Sequence, residues 1–383
     1  YLSRLSLTNF RNLVQIDLEL PPGIVVFFGP NAQGKTTLVE AVYLLAISRS
    51  FRAENEREVV NFDAAAEGGQ ALVGGTVERK EDRLAVYVGY QSVPAATPGS
   101  GGYAVRKEIR VSRVRFTAAQ LVGLVTSVLF TADDVQLVLG APSIRRKFLD
   151  ILISQADNLY LKTLQRYQRV VQQRNRLLRL RREGRAGAEE LVFWDGELVR
   201  EGAWLTWKRS EVVKRLNTLC GEHHLRLSGT EDDFRMEYRP SIPGGGDLQE
   251  VEDSFRESLA ATEARERATA TTAAGPHRDD FGLWLNRVDM GTYSSRGQAR
   301  TIALSLRLAE AGYLASVRRE GPIMLLDDVL SEMDASRRRR VMEETARYQQ
   351  TLITTTDVDL VRDYYGSSAG YFRVENGKVC RDA

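Results

Sequence analysis

Hydrophobic positions change period several times along the chain, and each change marks an element. Leu2, Leu5 and Leu7, then Val14, Ile16, Leu18 and Leu20, predict two strands, the second in strict alternation. The uninterrupted run Ile24 to Phe28 predicts a buried strand closed at Gly29, and Thr37-Leu-Val-Glu-Ala-Val-Tyr-Leu-Leu carries helical periodicity soon after it. Residues 71–77, 83–90 and 104–111 read as strands, with Pro94 to Gly102 a flexible surface loop between the last two, and Leu124 to Phe130 is another apolar run. From Ser143, a good N-cap, to about residue 224 the pattern is helical, broken at Gly184 to Gly187. A loop from Pro240 to Asp247 precedes a further helix over 248–268. Strand character returns after residues 275–280, a long amphipathic helix runs to about Arg318, and Pro322-Ile-Met-Leu-Leu predicts a second buried strand. A basic helix and the strand Leu352 to Asp357 follow.

The chemistry gathers where those buried strands end. Gly29, Pro30, Asn31, Ala32, Gln33, Gly34, Lys35 and Thr36 carry the spacing G-x-x-x-x-G-K-T between a strand and a helix that Thr37 continues. Glycines let such a loop curl its N–H groups around an anion, and the new helix aims its positive end at the same point. Lys35 is expected to reach the β/γ phosphates of a nucleoside triphosphate and Thr36 to ligate Mg²⁺. Asp327 and Asp328 close the second buried strand, as a triphosphate site needs: Asp327 to hold Mg²⁺, Asp328 to orient water. Ser295 stands where an N-cap belongs, so the long helix after it offers a second anion-binding end. Arg11 and Asn12, in an Asn-bearing turn one strand before the loop, read either as a plain turn or as nucleotide neighbours.

Other polar clusters stay open. Arg49 to Arg52 follow the loop's helix and satisfy its C-terminal dipole as well as they would any ligand. Asp133 and Asp134 either cap a helix or approach the metal. His277-Arg278-Asp279-Asp280 is a polar turn or a site element. Arg174, Arg176, Arg179, Arg181 and Arg182 form either a solvated helix face or a basic ridge for DNA phosphates, and phosphate contact is the expectation carried forward.

Composition narrows the class. The 383 residues exceed one ordinary domain, and 43% hydrophobic with 27% charged residues describe a soluble globular protein. The net charge of +2 leaves any affinity for nucleic acid to charge placement. Cys220 and Cys380 make no metal or disulfide framework and fit a reducing cytosol. No apolar run is long enough to span a bilayer, so a cytoplasmic protein without a membrane partner is expected.

Together these motifs resemble the ABC-type ATPase heads. Gly29 to Thr36 is similar to Walker A, Ser295-Arg-Gly-Gln298 to the signature, Asp327-Asp328 to Walker B, Ser331 to Asp334 to the D-loop and Thr355-Thr356-Asp357 to the switch region. With Asn9-Phe-Arg-Asn12, Ser50-Phe-Arg52 and Gly275-Pro-His-Arg-Asp-Asp280, the resemblance narrows to the bacterial RecF recombination mediators. It implies an α/β fold: a mixed-sheet ATP-binding lobe I from residues 1–141 and 270–383, and a mainly helical lobe II inserted at 142–269, without a long coiled coil. It further implies an ATP-dependent homodimer in which Ser295, Gly297 and Gln298 complete the other protomer's ATP site in trans. Binding to DNA gaps and junctions, action with RecR, and help in loading RecA also follow from the resemblance. Arg296 in place of the signature's first glycine, Thr356 in place of a switch histidine and Asp328 in place of glutamate suit a slow, DNA-stimulated ATPase. A transporter motor subunit or an SMC-like nuclease are the alternatives within the wider class.

Overall fold

The computed structural model describes residues 1–94, 103–187, 189–243 and 246–382. Most of the first expected loop and the centre of the second therefore lie outside the described residues. The chain forms two compact units, Tyr1–Asp134 with Glu310–Ala383, and Val135–Ala309.

The first unit holds two six-stranded sheets. One runs Leu13–Glu19, Leu2–Phe10, Gln70–Glu78, Arg83–Pro94, Tyr103–Val111 and Val114–Phe116, all antiparallel. The other runs Lys378–Arg381, Ala369–Glu375, Gly23–Phe28, Gln350–Thr355, Ile323–Asp327 and Ser127–Thr131, parallel apart from its first pair. The two acid-bearing and glycine-bearing strand ends thus share one edge of a parallel sheet, where open α/β sheets place ligands. Helix Lys35–Ile47 touches both sheets, which explains its composition: every residue except Thr36 is buried, so apolar side chains surround it rather than forming a stripe. Buried Gln350 ties the layers, accepting from the Leu2 N–H at 2.8 Å and donating to Leu2 O at 3.0 Å and Pro21 O at 2.9 Å.

The second unit is mainly helical: Pro142–Ala156, Asn158–Arg182, Glu189–Ser228 and Leu248–Thr269. It also contains the antiparallel sheet Val288–Asp289, Asp280–Leu285, Phe234–Arg239. Sequence reasoning left 225–247 without a strand. Because Asp280–Leu285 pairs with Phe234–Arg239, residues 270–309 group with the helices, and the division falls at 309, inside helix Arg296–Arg318, rather than at 269.

The cluster at 275–280 is the interior joint of this second unit. Asp279, 1% exposed, accepts from the Ser241 N–H at 2.7 Å, from the Tyr238 hydroxyl, and from Arg209 at 3.4 Å. Arg209, itself 2% exposed, also donates to Asp150 at 2.7 Å, Tyr160 at 2.8 Å and the Pro276 carbonyl at 2.6 Å. Asp280 takes a bidentate pair from Arg145, at 2.6 and 2.8 Å. His277 Nδ1 meets the Tyr167 hydroxyl at 2.6 Å, and burial pushes its pKa down to about 4, so the ring is neutral at physiological pH. Gly275 is required beside it: at φ 128° any Cβ would lie 2.2 Å from the Tyr167 oxygen. With the Asp279 and Asp280 carboxylates both paired, the cluster ties together the elements of this unit.

One expected site residue is corrected here. Arg174 is 3% exposed and enclosed by Asp195 at 2.7 Å, Glu266 at 2.6 Å and Thr272 at 3.1 Å, so it cannot meet DNA phosphates. Two carboxylates consume its charge. Arg181, 18% exposed, turns to Glu263 at 3.1 Å, which leaves Arg176, Arg179 and Arg182 as the exposed members of the ridge.

Candidate functional site: a phosphate-binding loop facing paired carboxylates

The loop leaves the strand Gly23–Phe28 through Gly29, where φ is 148° and an added Cβ would lie 2.2 Å from Val374 O. Gly34 ends it at φ 110°, with Leu13 Cδ2 2.8 Å from the place of a Cβ. Both positions demand glycine, for conformation and for space. Gln33 fastens the loop from outside by accepting from the Asn376 N–H at 2.6 Å. Leu38 N–H makes the first intrahelical bond, to Gly34 O, so the N–H groups before it remain at the helix's positive end.

Lys35 Nζ folds back over the loop and donates to the carbonyls of Gly29, 2.8 Å, and Pro30, 2.7 Å. Burial lowers its pKa, opposed by the charges of Asp328 and Asp327. Thr36 Oγ1 donates to Asp327 Oδ1 at 2.8 Å, joining the residues expected to share Mg²⁺. Burial raises the pKa of Asp327, opposed by hydrogen bonds from Thr354 and Thr36. A buried ammonium and a buried carboxylate both gain from an opposite charge; a phosphate supplies it for the first and a divalent cation for the second. The donor set fits Mg²⁺, which takes one or two carboxylates and completes its shell with phosphate and water. Among the described residues no group of three or more His, Cys, Asp or Glu could hold a metal unaided.

Asp328 follows the strand Ile323–Asp327 in the left-handed region, φ 53°, which an aspartate tolerates better than most residues. Its N–H donates to Thr354 Oγ1 at 3.0 Å, and Ser331 Oγ donates to its carboxylate at 3.1 Å. Asp334 caps the basic helix Ala335–Thr345 by accepting from the Arg337 N–H at 2.9 Å. Thr355 and Asp357 close a small turn on each other, and Thr356, in the switch position, is exposed. Asp134 accepts from the Thr131 N–H at 2.9 Å at the neighbouring strand's end.

Arg11 and Asn12 bind the helix that follows the loop. Asn12 Oδ1 accepts from Thr37 Oγ1 at 2.9 Å, while Arg11 gives Glu40 bonds at 2.7 and 3.2 Å and the Glu58 carbonyl one at 2.9 Å. Glu40 is fully buried and also accepts from Ser50, with Arg52 at 3.6 Å. Sequence reasoning passed over Glu40 and Thr354. A carboxylate inside an otherwise apolar helix was the available signal for the first; nothing local marked the second.

Ser295 is the N-cap expected of it. Its Oγ accepts from the Gln298 N–H at 3.2 Å, and its own N–H donates to Gln298 Oε1 at 3.0 Å, a reciprocal capping box opening helix Arg296–Arg318. Ser295 and Arg296 are exposed, and Tyr293 beside them is 73% exposed.

The RecF/RecN/SMC N terminal domain family matches residues 1–379. The DNA replication and repair protein RecF of Roseiflexus castenholzii is 40% identical over 390 residues, covering 99% of each chain. The chain belongs to the RecF family. The RecF of Chloroflexus aurantiacus is likewise 40% identical, over 392 residues and 99% of each chain. A solved structure described as the recombination mediator protein RecF with ATP, in the RecFOR pathway, is 29% identical and superposes with a TM-score of 0.88 over 100% of this chain and 98% of that one. The fold is that of an ABC-type head. No helix among the described residues is long and apolar enough to cross a membrane.

Proposed function

We propose that this chain is an ATP-dependent DNA-binding protein of recombinational repair and replication. It binds ATP with Mg²⁺, dimerises on it, engages DNA at gaps and junctions, and with RecR helps load RecA; slow hydrolysis resets it. The observation that carries the reading is the 2.8 Å contact of Thr36 with Asp327 beneath a loop whose lysine is centred on its own carbonyls. Mg²⁺, held by Thr36 and Asp327, would supply neutralisation of the phosphate charge. The chain's own residues do the rest. The loop N–H groups and Lys35 bind the phosphates, Thr36 and Asp327 hold the metal, and Asp328 orients the attacking water. The test of the whole reading is whether double-stranded DNA accelerates ATP turnover, which a transporter motor would not show.

Binding and turnover separate at Asp328. The variant Asp328→Asn is expected to keep ATP affinity and ATP-dependent dimerisation while hydrolysing about 100-fold more slowly, the usual scale for loss of a positioned base. Turnover at the parent rate would assign the water to another residue.

DNA contact is assigned to the exposed part of the ridge, Arg176, Arg179 and Arg182. Neutralising Arg179 and Arg182 to glutamine should weaken binding irrespective of sequence. It should also flatten the log–log salt dependence by about two units, one for each lost phosphate contact. An unchanged slope would return these arginines to the role of a solvated face.

A further inference from the structure

Thr354 lies in the strand Gln350–Thr355, directly opposite Asp327 in parallel register, and is 1% exposed. Its Oγ1 donates to Asp327 Oδ1 at 2.8 Å and accepts from the Asp328 N–H at 3.0 Å. One hydroxyl has a single proton to give and lone pairs to receive with, so both bonds coexist. The same Asp328 N–H also leans on the Thr354 carbonyl, at the longer distance of 3.3 Å. A neighbouring strand therefore grips both acids at their junction, where the chain turns into the left-handed conformation of Asp328, φ 53°.

Thr36 makes an equivalent 2.8 Å bond to the same Asp327 oxygen, but its role differs. As a metal ligand, Thr36 would present a lone pair to the cation while its proton stays on Asp327, so its one hydroxyl would serve metal and carboxylate together. Thr354 has no such second duty. Its donor is on Asp327 and its acceptor on Asp328.

We propose that Thr354 is a positioning residue for the ATPase: its one hydroxyl sets the metal-binding carboxylate and the water-orienting residue in fixed relation, so that metal affinity and turnover depend on the same atom. The inference rests on the ATPase reading above. Valine has the shape of threonine without the hydroxyl. In Thr354→Val, Asp327 Oδ1 loses the donor that is not a metal ligand, and the Asp328 N–H keeps only the longer carbonyl contact.

The experiment measures ATP binding with EDTA and across a Mg²⁺ titration, Mn²⁺ affinity by paramagnetic resonance in the ATP complex, and steady-state turnover. Thr354→Val is expected to match the parent's metal-free ATP affinity, which the loop sets. It should require about 10- to 100-fold more Mg²⁺ or Mn²⁺, the scale for losing a group that orients a metal ligand. At saturating metal its kcat should stay depressed with KM for ATP near the parent value, because the Asp328 junction is still loose. Thr354→Ser, which restores the hydroxyl but not the methyl, should recover both quantities. Parent-like metal demand in Thr354→Val overturns the proposal, and so does a serine variant as impaired as the valine one, since shape rather than the hydroxyl would then matter. Thr354→Ala, measured by Mn²⁺ affinity against Thr354→Ser, decides the question if the valine variant does not fold. A parent protein with no metal-dependent ATP binding would instead overturn the ATPase reading, and this inference with it.

Discussion

Lys35→Ala is expected to lose ATP binding, and with it ATP-dependent dimer formation and turnover. The lysine is the one ammonium inside the loop, held by the Gly29 and Pro30 carbonyls at 2.8 and 2.7 Å. Three donors on a buried cation can serve two carbonyls and still meet a phosphate. A hydrogen bond to a charged group contributes about 1.5–3 kcal/mol, so affinity should fall by about 10- to 150-fold from this contact alone. Burial already lowers the pKa of the lysine, a sign that its charge is costly in the free protein. Removing it relieves that cost while giving up two loop bonds, so the melting temperature of the nucleotide-free protein should move little. Equilibrium titration with a fluorescent ATP analogue, beside a thermal melt, separates the two. Undiminished affinity in a folded variant would sink the assignment of the loop.

The second large effect belongs to Ser295. Family resemblance implies that the capped end of helix Arg296–Arg318 completes the ATP site of a twofold-related partner, so that nucleotide is part of an isologous interface. Ligand that binds the dimer better than the monomer must drive association, and hydrolysis must loosen it. An arginine side chain at Ser295 would break the reciprocal capping box with Gln298 and fill the exposed helix end with bulk. Ser295→Arg should therefore bind ATP as a monomer with nearly parent affinity yet neither dimerise nor turn ATP over. Mixing it with Lys35→Ala protomers gives the sharper result. Their heterodimer carries one intact composite site and should recover part of the turnover that neither variant shows alone. If sedimentation confirms the mixed dimer and turnover stays absent, the site is built within one chain or needs both nucleotides at once.

What could be read from the sequence follows from how far apart the interacting residues lie. The loop from Gly29 to Thr36 is contiguous, and its chemistry is written in spacing and flanking elements. That Asp327 and Asp328 stand at a strand end was legible because an apolar run announced the strand. The capping box at Ser295 needs only Gln298, three residues on. Arg174 shows the opposite case: its charge suggested a phosphate contact, but the carboxylates that consume it, Asp195 and Glu266, are far along the chain and their approach is a tertiary fact. The cluster at 275–280 could not be decided for the same reason, since Arg209, Arg145, Tyr238 and Tyr167 all come from other elements. Thr354 was hidden by its ordinariness. A threonine in a β-strand is the default expectation, and only the register opposite Asp327 gives it a role.

The strand that carries the phosphate-binding loop has both its neighbours late in the chain: Gly23 to Phe28 pairs with Gln350–Thr355 on one side and with Ala369–Glu375 on the other. On the ribosome, then, Ile24 to Phe28 emerges long before either partner strand, since these begin at Gln350 and Ala369. The contiguous segment Val135–Ala309 can meanwhile close its own contacts. Pairings of such sequence separation are slow to form, and an unpaired apolar strand is a template for aggregation while it waits. Synthesis of this protein thus passes through a long interval in which a finished helical unit is tethered to an unfinished nucleotide site, and chaperone demand should peak in that interval.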